Sequence, residues 1–212
     1  MPDHVLHYVY DPLCGWCYAA APMVDAVRAA GVPLSLHGGG LWSSPTALTP
    51  GKGAQIGESD ARIAALTDQP FGEAYLAGTL RDAAAVFWST PATAAVLAAG
   101  GCRVGADLDM LHAIQVAHYV AGRRVVETDV LRDLAVGIGI DGAGFEAAYD
   151  LARAEGHIGR TRRLMGRAGV HGFPSFLVAS GEALVPLPHE GFYGRPAAFA
   201  DAISSAAARL VA

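Results

Sequence analysis

Cys14 and Cys17 flank Gly15-Trp16, directly after an apolar run and directly before an Ala-rich stretch with helical spacing. Two cysteines spaced C-x-x-C at a strand-to-helix junction bring their sulfurs within bonding distance in one turn, so the pair opens and closes as a disulfide. Unpaired N–H groups at a helix N-terminus favour a thiolate there, and only the thiolate attacks a disulfide. The chemistry predicted is thiol–disulfide exchange, with Cys14 as nucleophile and Cys17 as resolving thiol. Zinc is the rival use of such a pair, but a closed zinc site needs two further ligands. His4 and His7 point in offset directions from one strand and there is no second C-x-x-C, so no metal is expected. Cys102 follows Gly100-Gly101 without a partner at useful spacing and is expected to be a semi-buried structural thiol.

With 212 residues, 52% of them apolar, the chain can fill the core of one sizeable domain, or of one domain carrying an insertion. A net charge of −5 gives no general attraction to nucleic acid or acidic lipid. Lys52 is the only lysine, so Schiff-base chemistry would depend on one residue of Gly51-Lys52-Gly53 and is not expected. Met1-Pro2-Asp3-His4 shows no basic segment followed by a long apolar run, and the apolar run at 5–10 is far too short to span a bilayer. The expected compartment is the cytoplasm, with no membrane partner. Three cysteines are too few to staple a fold of this length.

The elements that must position the dithiol follow from periodicity. Val5-Leu6-His7-Tyr8-Val9-Tyr10 is aromatic and β-branched and predicts a buried strand, broken by Asp11-Pro12. Residues 15–30 predict a helix kinked by Pro22, and residues 33–37 a second strand closed by Gly38-Gly39-Gly40. From 46 to 168 no strand is evident. Pro91 opens a helix there with Gly100 as its stop, residues 107–121 are apolar nearly all round, and Val130, Leu131, Leu134 and Ile138 recur at helical spacing. Strands return at 175–179 and 183–187, with Ser180-Gly181-Glu182 as the turn and Pro186 favouring an edge, and a helix closes the chain from 196. The expected architecture is α/β, with 1–45 and 169–212 forming one domain around a mixed sheet of about four strands and 46–168 inserted as an all-helical domain.

Two motifs together, Tyr10-Asp11-Pro12-Leu13-Cys14-Gly15-Trp16-Cys17 and Gly172-Phe173-Pro174-Ser175-Phe176, with the helical block between them, resemble the DsbA-type branch of the thioredoxin-fold thiol oxidoreductases. The resemblance implies a thioredoxin-like fold, a cis peptide bond before Pro174 facing the dithiol, and a thiol:disulfide oxidoreductase with Cys14 and Cys17 catalytic. Pro22, five residues after Cys17, matches the kinking proline of the active-site helix. Trp16, Phe173 and Pro174 are the expected substrate-binding residues, with Phe173 offering backbone pairing to an extended substrate. Where oxidising periplasmic members carry Cys-Pro-His-Cys, this chain has Gly15 and Trp16. The missing histidine removes a donor and a cation from beside the thiolate, which implies a more reducing dithiol. Many thioredoxin-fold enzymes hold a buried acid six residues before the first cysteine; Tyr8 stands there, leaving water, Tyr8 or Asp11 to move the proton of Cys17.

The expected direction is reduction or isomerisation of protein or small-molecule disulfides, with no bound cofactor and with glutathione as a candidate reductant. Two alternatives belong to other classes. One is a glutathione-dependent isomerase or transferase of the kappa or hydroxychromene-carboxylate isomerase type, which typically has serine in place of Cys14; the other is a non-catalytic adaptor using the same groove. Arg160, Arg163 and Arg167 share a helix face that is expected to be solvated, with carboxylate binding as the functional alternative. His171 is expected to be a polar loop residue, His112 and His118 to pack in the core, and the three glycines at 38–40 to give the site room.

Overall fold

A computed structural model describes residues 4–180 and 183–211. Gly181 and Glu182 of the expected turn lie outside the described residues. The central strand is β1 (His4–Tyr10), parallel to β2 (Leu34–Gly38) on one side and antiparallel to β5 (Ser175–Ser180) on the other. β6 (Ala183–Leu187) completes the sheet in the order β2-β1-β5-β6, which puts Pro186 on an edge strand. The expected mixed sheet of four strands is therefore present, joining chain segments far apart in sequence.

Alternation along β1 explains why both faces are covered. Leu6 and Tyr8 point into the large core with Phe176 and Val178, beneath α2 (Ala21–Ala29) and α9 (Pro196–Val211), which add Met23, Val24, Phe199 and Ile203. Val9 points the other way, to Leu177 and to Met165 of α8 (Leu151–Ala168). Tyr8 and Phe176 are directly opposed across the ladder and their rings stack at 4.9 Å, locking β1 to β5 beside the dithiol.

Pro22 does more than kink. The predicted helix is two helices, α1 (Gly15–Ala19) and α2, meeting at Ala20, because a proline in the second position of α2 fits a helix start and not a helix interior. Between the sheet halves run α3 (Pro50–Thr67), α4 (Ser89–Cys102), α5 (Ala106–Tyr119), α6 (Thr128–Gly137) and α7 (Gly142–Ala148), ending in α8. This stretch is not wholly helical. β3 (Thr46–Ala47) and β4 (Val86–Phe87) pair antiparallel, two residues each, too short to leave a period-2 pattern. Gly100 does not stop α4, which continues to Cys102 while its buried alanines pack along α5. α8 touches both α4 and the sheet.

Candidate functional site

The chain leaves β1 at Tyr10, turns through Asp11–Leu13 and enters α1 with Cys14 as its N-cap. The Cys14 carbonyl accepts the N–H groups of Cys17 and Tyr18, both at 3.0 Å, which holds the two cysteines on one turn. Both are free thiols. Cys14 is 7% exposed at the surface end of the turn and Cys17 is 0% exposed beneath it. Because α1 is five residues long, the backbone dipole behind Cys14 is shorter than the predicted continuous helix would provide.

The Phe173–Pro174 peptide bond is cis, as expected. The Cys14 thiol donates to the Phe173 carbonyl at 3.6 Å, so the two motifs meet sulfur to backbone across 159 positions of sequence. Phe173 is half-buried: its ring lies against Gly39 and beneath the Arg162 guanidinium, 4.9 Å from the ring centre. A Cβ on residue 39 would overlap that ring, which is how the predicted glycine turn makes room. Trp16 packs on Tyr193 at 5.1 Å between ring centres, and the Tyr193 hydroxyl donates to the Trp16 carbonyl at 3.3 Å. Trp16 thereby divides two hollows, a shallow groove with Phe173, Leu66 and Glu190, and a deeper cavity of about 380 Å³ on the Cys14 side.

Burial pushes the Cys17 thiol well up, and the neighbouring Cys14 thiol adds to this. The Asp11 N–H, donating to the Cys17 sulfur at 3.4 Å, acts in the opposite sense. Both proton-handling candidates touch Cys17. The Tyr8 hydroxyl donates to its carbonyl at 3.2 Å, and burial pushes that phenol well above its ordinary range. Asp11 is fully buried; burial pushes its carboxyl up, against the N–H of Leu41 (2.7 Å), the Ser89 hydroxyl and the N–H of Leu13 (2.9 Å). Asp11 thus ties the strand end, the 40–41 loop and the start of α4 into one rim.

Several expectations need correction. Cys102 is exposed and not semi-buried, because it ends α4 at the surface. Arg160, Arg163 and Arg167 all face solvent, as expected of the solvated alternative, whereas Arg162 between them reaches the site and donates to the Gly40 carbonyl at 2.7 Å. The register of α8 explains it: Arg162 follows Ile158 by one turn on the same helix face, and Ile158 lies against Gly40. His171 is exposed; His118 is buried, and His112 is partly buried near Asp25.

Asp60 was not anticipated. It takes the middle seat of the stripe Ile56, Asp60, Ile63 on α3, an acid at an apolar position, and that interruption is the signal in the sequence. It is buried, accepts the Tyr75 hydroxyl at 2.8 Å, and burial holds its carboxyl up at about 6. Its Oδ1 stands 2.7 Å from where a side chain on Gly15 would begin, so the glycine between the cysteines admits it. Asp60 lines the deeper cavity together with Cys14, Trp42, Lys52, Tyr75 and Phe87.

Comparison with known proteins agrees with this geometry. The DSBA-like thioredoxin domain model matches residues 5–192. The cytosolic disulfide reductase DsbM from Pseudomonas aeruginosa is 42% identical, with a TM-score of 0.88 over 97% of this chain and 99% of that one. Its structure with GSH superposes with a TM-score of 0.84 at 41% identity, over 95% and 98% of the two chains. Reduced DsbA1 from Neisseria meningitidis, 13% identical with a TM-score of 0.56 over 97% and 83%, shares the fold. Comparison with curated proteins finds no match.

Proposed function

The chain belongs to the DSBA-like thioredoxin domain family of thiol:disulfide oxidoreductases, and on that premise we propose that it works as a reductase, with Cys14 as the attacking sulfur and Cys17 as the resolving one. The observation that carries this is the asymmetry of two largely buried thiols: Cys14 keeps 7% exposure, lines the open cavity and lies against the Phe173 carbonyl, whereas Cys17 has no exposure and lies beneath it.

The Cys14 thiolate attacks one sulfur of a substrate disulfide, R–S–S–R′. The Cys14–S–S–R bond forms, the substrate S–S bond breaks, and R′S⁻ leaves and takes a proton. Cys17 loses its proton and attacks the Cys14 sulfur; RS⁻ leaves and is protonated, and Cys14–Cys17 becomes the disulfide. Two electrons pass from the dithiol to the substrate. Two equivalents of a small thiol such as glutathione then restore the dithiol through a second mixed disulfide. Burial keeps Cys17 a protonated thiol between turnovers, and the Asp11 N–H steadies its sulfur as charge develops. Trp16 and Phe173 line the groove against which the substrate lies, the buried Pro174 fixes the turn that presents the Phe173 carbonyl to Cys14, and Arg162 holds the Phe173 ring.

Glutathione as reductant and the cytoplasm as compartment are supported by the cytosolic neighbour and its structure with GSH. Among the described residues no helix is long and apolar enough to cross a membrane. The test is a pair of variants assayed with insulin and with a small disulfide. Cys14→Ser abolishes reduction, and Cys17→Ser accumulates a mixed disulfide at Cys14 visible by intact mass. Full insulin reduction by Cys14→Ser would overturn the assignment.

A further inference from the structure

We propose that the cavity beside Cys14 selects low-molecular-weight disulfides that carry an ammonium group, with Asp60 as the residue that receives it. This rests on the reading that Cys14 attacks disulfides and narrows the class it attacks.

The cavity, at about 380 Å³, has the size of a small-molecule site and not of a protein groove. Its walls are aromatic and aliphatic, with Cys14 at one side and a single carboxylate in the floor. Among the described residues that carboxylate has one side-chain donor, the Tyr75 hydroxyl on Oδ2, and no ion-pair partner. Oδ1 is left without a hydrogen-bond donor, directly against Gly15, one residue from the attacking sulfur. The other charged group on the cavity, Lys52, is exposed at its mouth and bonds the Gln55 side chain at 3.1 Å. A buried carboxylate without a cation is costly unless something supplies the missing charge. An ammonium two carbons from a disulfide sulfur supplies it while the sulfur faces Cys14. The carboxylate of an amino-acid disulfide would extend toward Lys52. The redox step is unchanged: the dithiol loses two electrons and the disulfide becomes two aminothiols.

The experiment is single-turnover oxidation of the fully reduced protein, followed by tryptophan fluorescence. Three disulfides of similar length are used: cystamine, 2-hydroxyethyl disulfide and 3,3′-dithiodipropionate. Each rate is divided by the rate of the same disulfide with dithiothreitol, which removes intrinsic reactivity. At pH 8 the normalised rate for cystamine is expected to exceed that for hydroxyethyl disulfide by about tenfold or more, the worth of a hydrogen bond to a charged group, with dithiodipropionate slowest. In Asp60→Asn the cystamine preference is expected to fall to about twofold or less, through loss of affinity. Equal normalised rates for the three disulfides in the wild-type protein would overturn the proposal while leaving the oxidoreductase reading intact. A uniform loss across all three in Asp60→Asn would also overturn it, assigning Asp60 to the sulfur chemistry instead. Failure of all three to oxidise the dithiol would sink the underlying function. The wild-type comparison stands without the variant.

Discussion

Replacing Asp60 by asparagine should make the protein more stable, and only above the pH at which the carboxyl ionises. Burial holds that carboxyl at about 6 in the folded chain, against about 3.9 in an unfolded one. The folded state therefore keeps a proton that the unfolded state has already released. The stabilisation this provides is complete below pH ~4 and is lost as the pH rises through about 6. A gap of roughly two units at ~1.4 kcal/mol each sets an upper bound of about 3 kcal/mol, and solvent entering the cavity trims it to about 2–3 kcal/mol. Asparagine does not ionise, and its carbonyl still accepts the Tyr75 hydroxyl. His37 and His118, both held down at about 4 by burial, tilt the stability profile the other way, but they are common to both proteins and cancel in the difference. Urea unfolding at pH 3.5, 6 and 8 should show the variant about equal to the wild type at the lowest pH and ahead by about 2–3 kcal/mol at the highest, with unchanged m-values. A difference that stays flat with pH, or a variant less stable at pH 8, would refute the claim that an unpaired carboxylate is buried there.

Two further outcomes follow from the site. Asp11→Ala strands the N–H groups of Leu13 and Leu41, and should cost about 2–5 kcal/mol in urea unfolding while speeding alkylation of Cys17. Gly39→Ala pushes the Phe173 ring out from under Arg162; kcat/KM for insulin reduction should fall at least about tenfold at a stability cost of about 1–3 kcal/mol, measured by turnover and thermal melting.

The dithiol and the sheet strands were legible because each is written in local chemistry, a paired spacing and a β-branched or aromatic run, whereas the cis bond before Pro174 was implied by the family resemblance and not by the residues alone. The helices between the sheet halves were legible through their period. Elements decided by tertiary packing were not. The β3–β4 ladder is too short to carry a period, and α4 runs through Gly100 because packing on α5 outweighs the glycine's reluctance to be helical. Side-chain roles at the site divided the same way. Arg160, Arg163 and Arg167 form a visible stripe, yet Arg162 does the holding, since its position depends on which face of α8 meets the 38–40 loop. Asp60 broke an apolar stripe in plain view, but its approach to Gly15 exists only once α3 lies on α1.

The contact between the Cys14 sulfur and the Phe173 carbonyl spans 159 positions, and this has a temporal side. Ribosomes add about 5–20 residues per second, so the thiol pair leaves the exit tunnel roughly 10–30 seconds before its opposing wall has been made. For that interval a nucleophile is presented to the cell with no surface to choose its partner. Completion of β5 is then what converts an indiscriminate sulfur into a selective one, and a nascent or truncated chain is a scavenger of stray disulfides, exchanging with them and releasing a thiolate, rather than an enzyme.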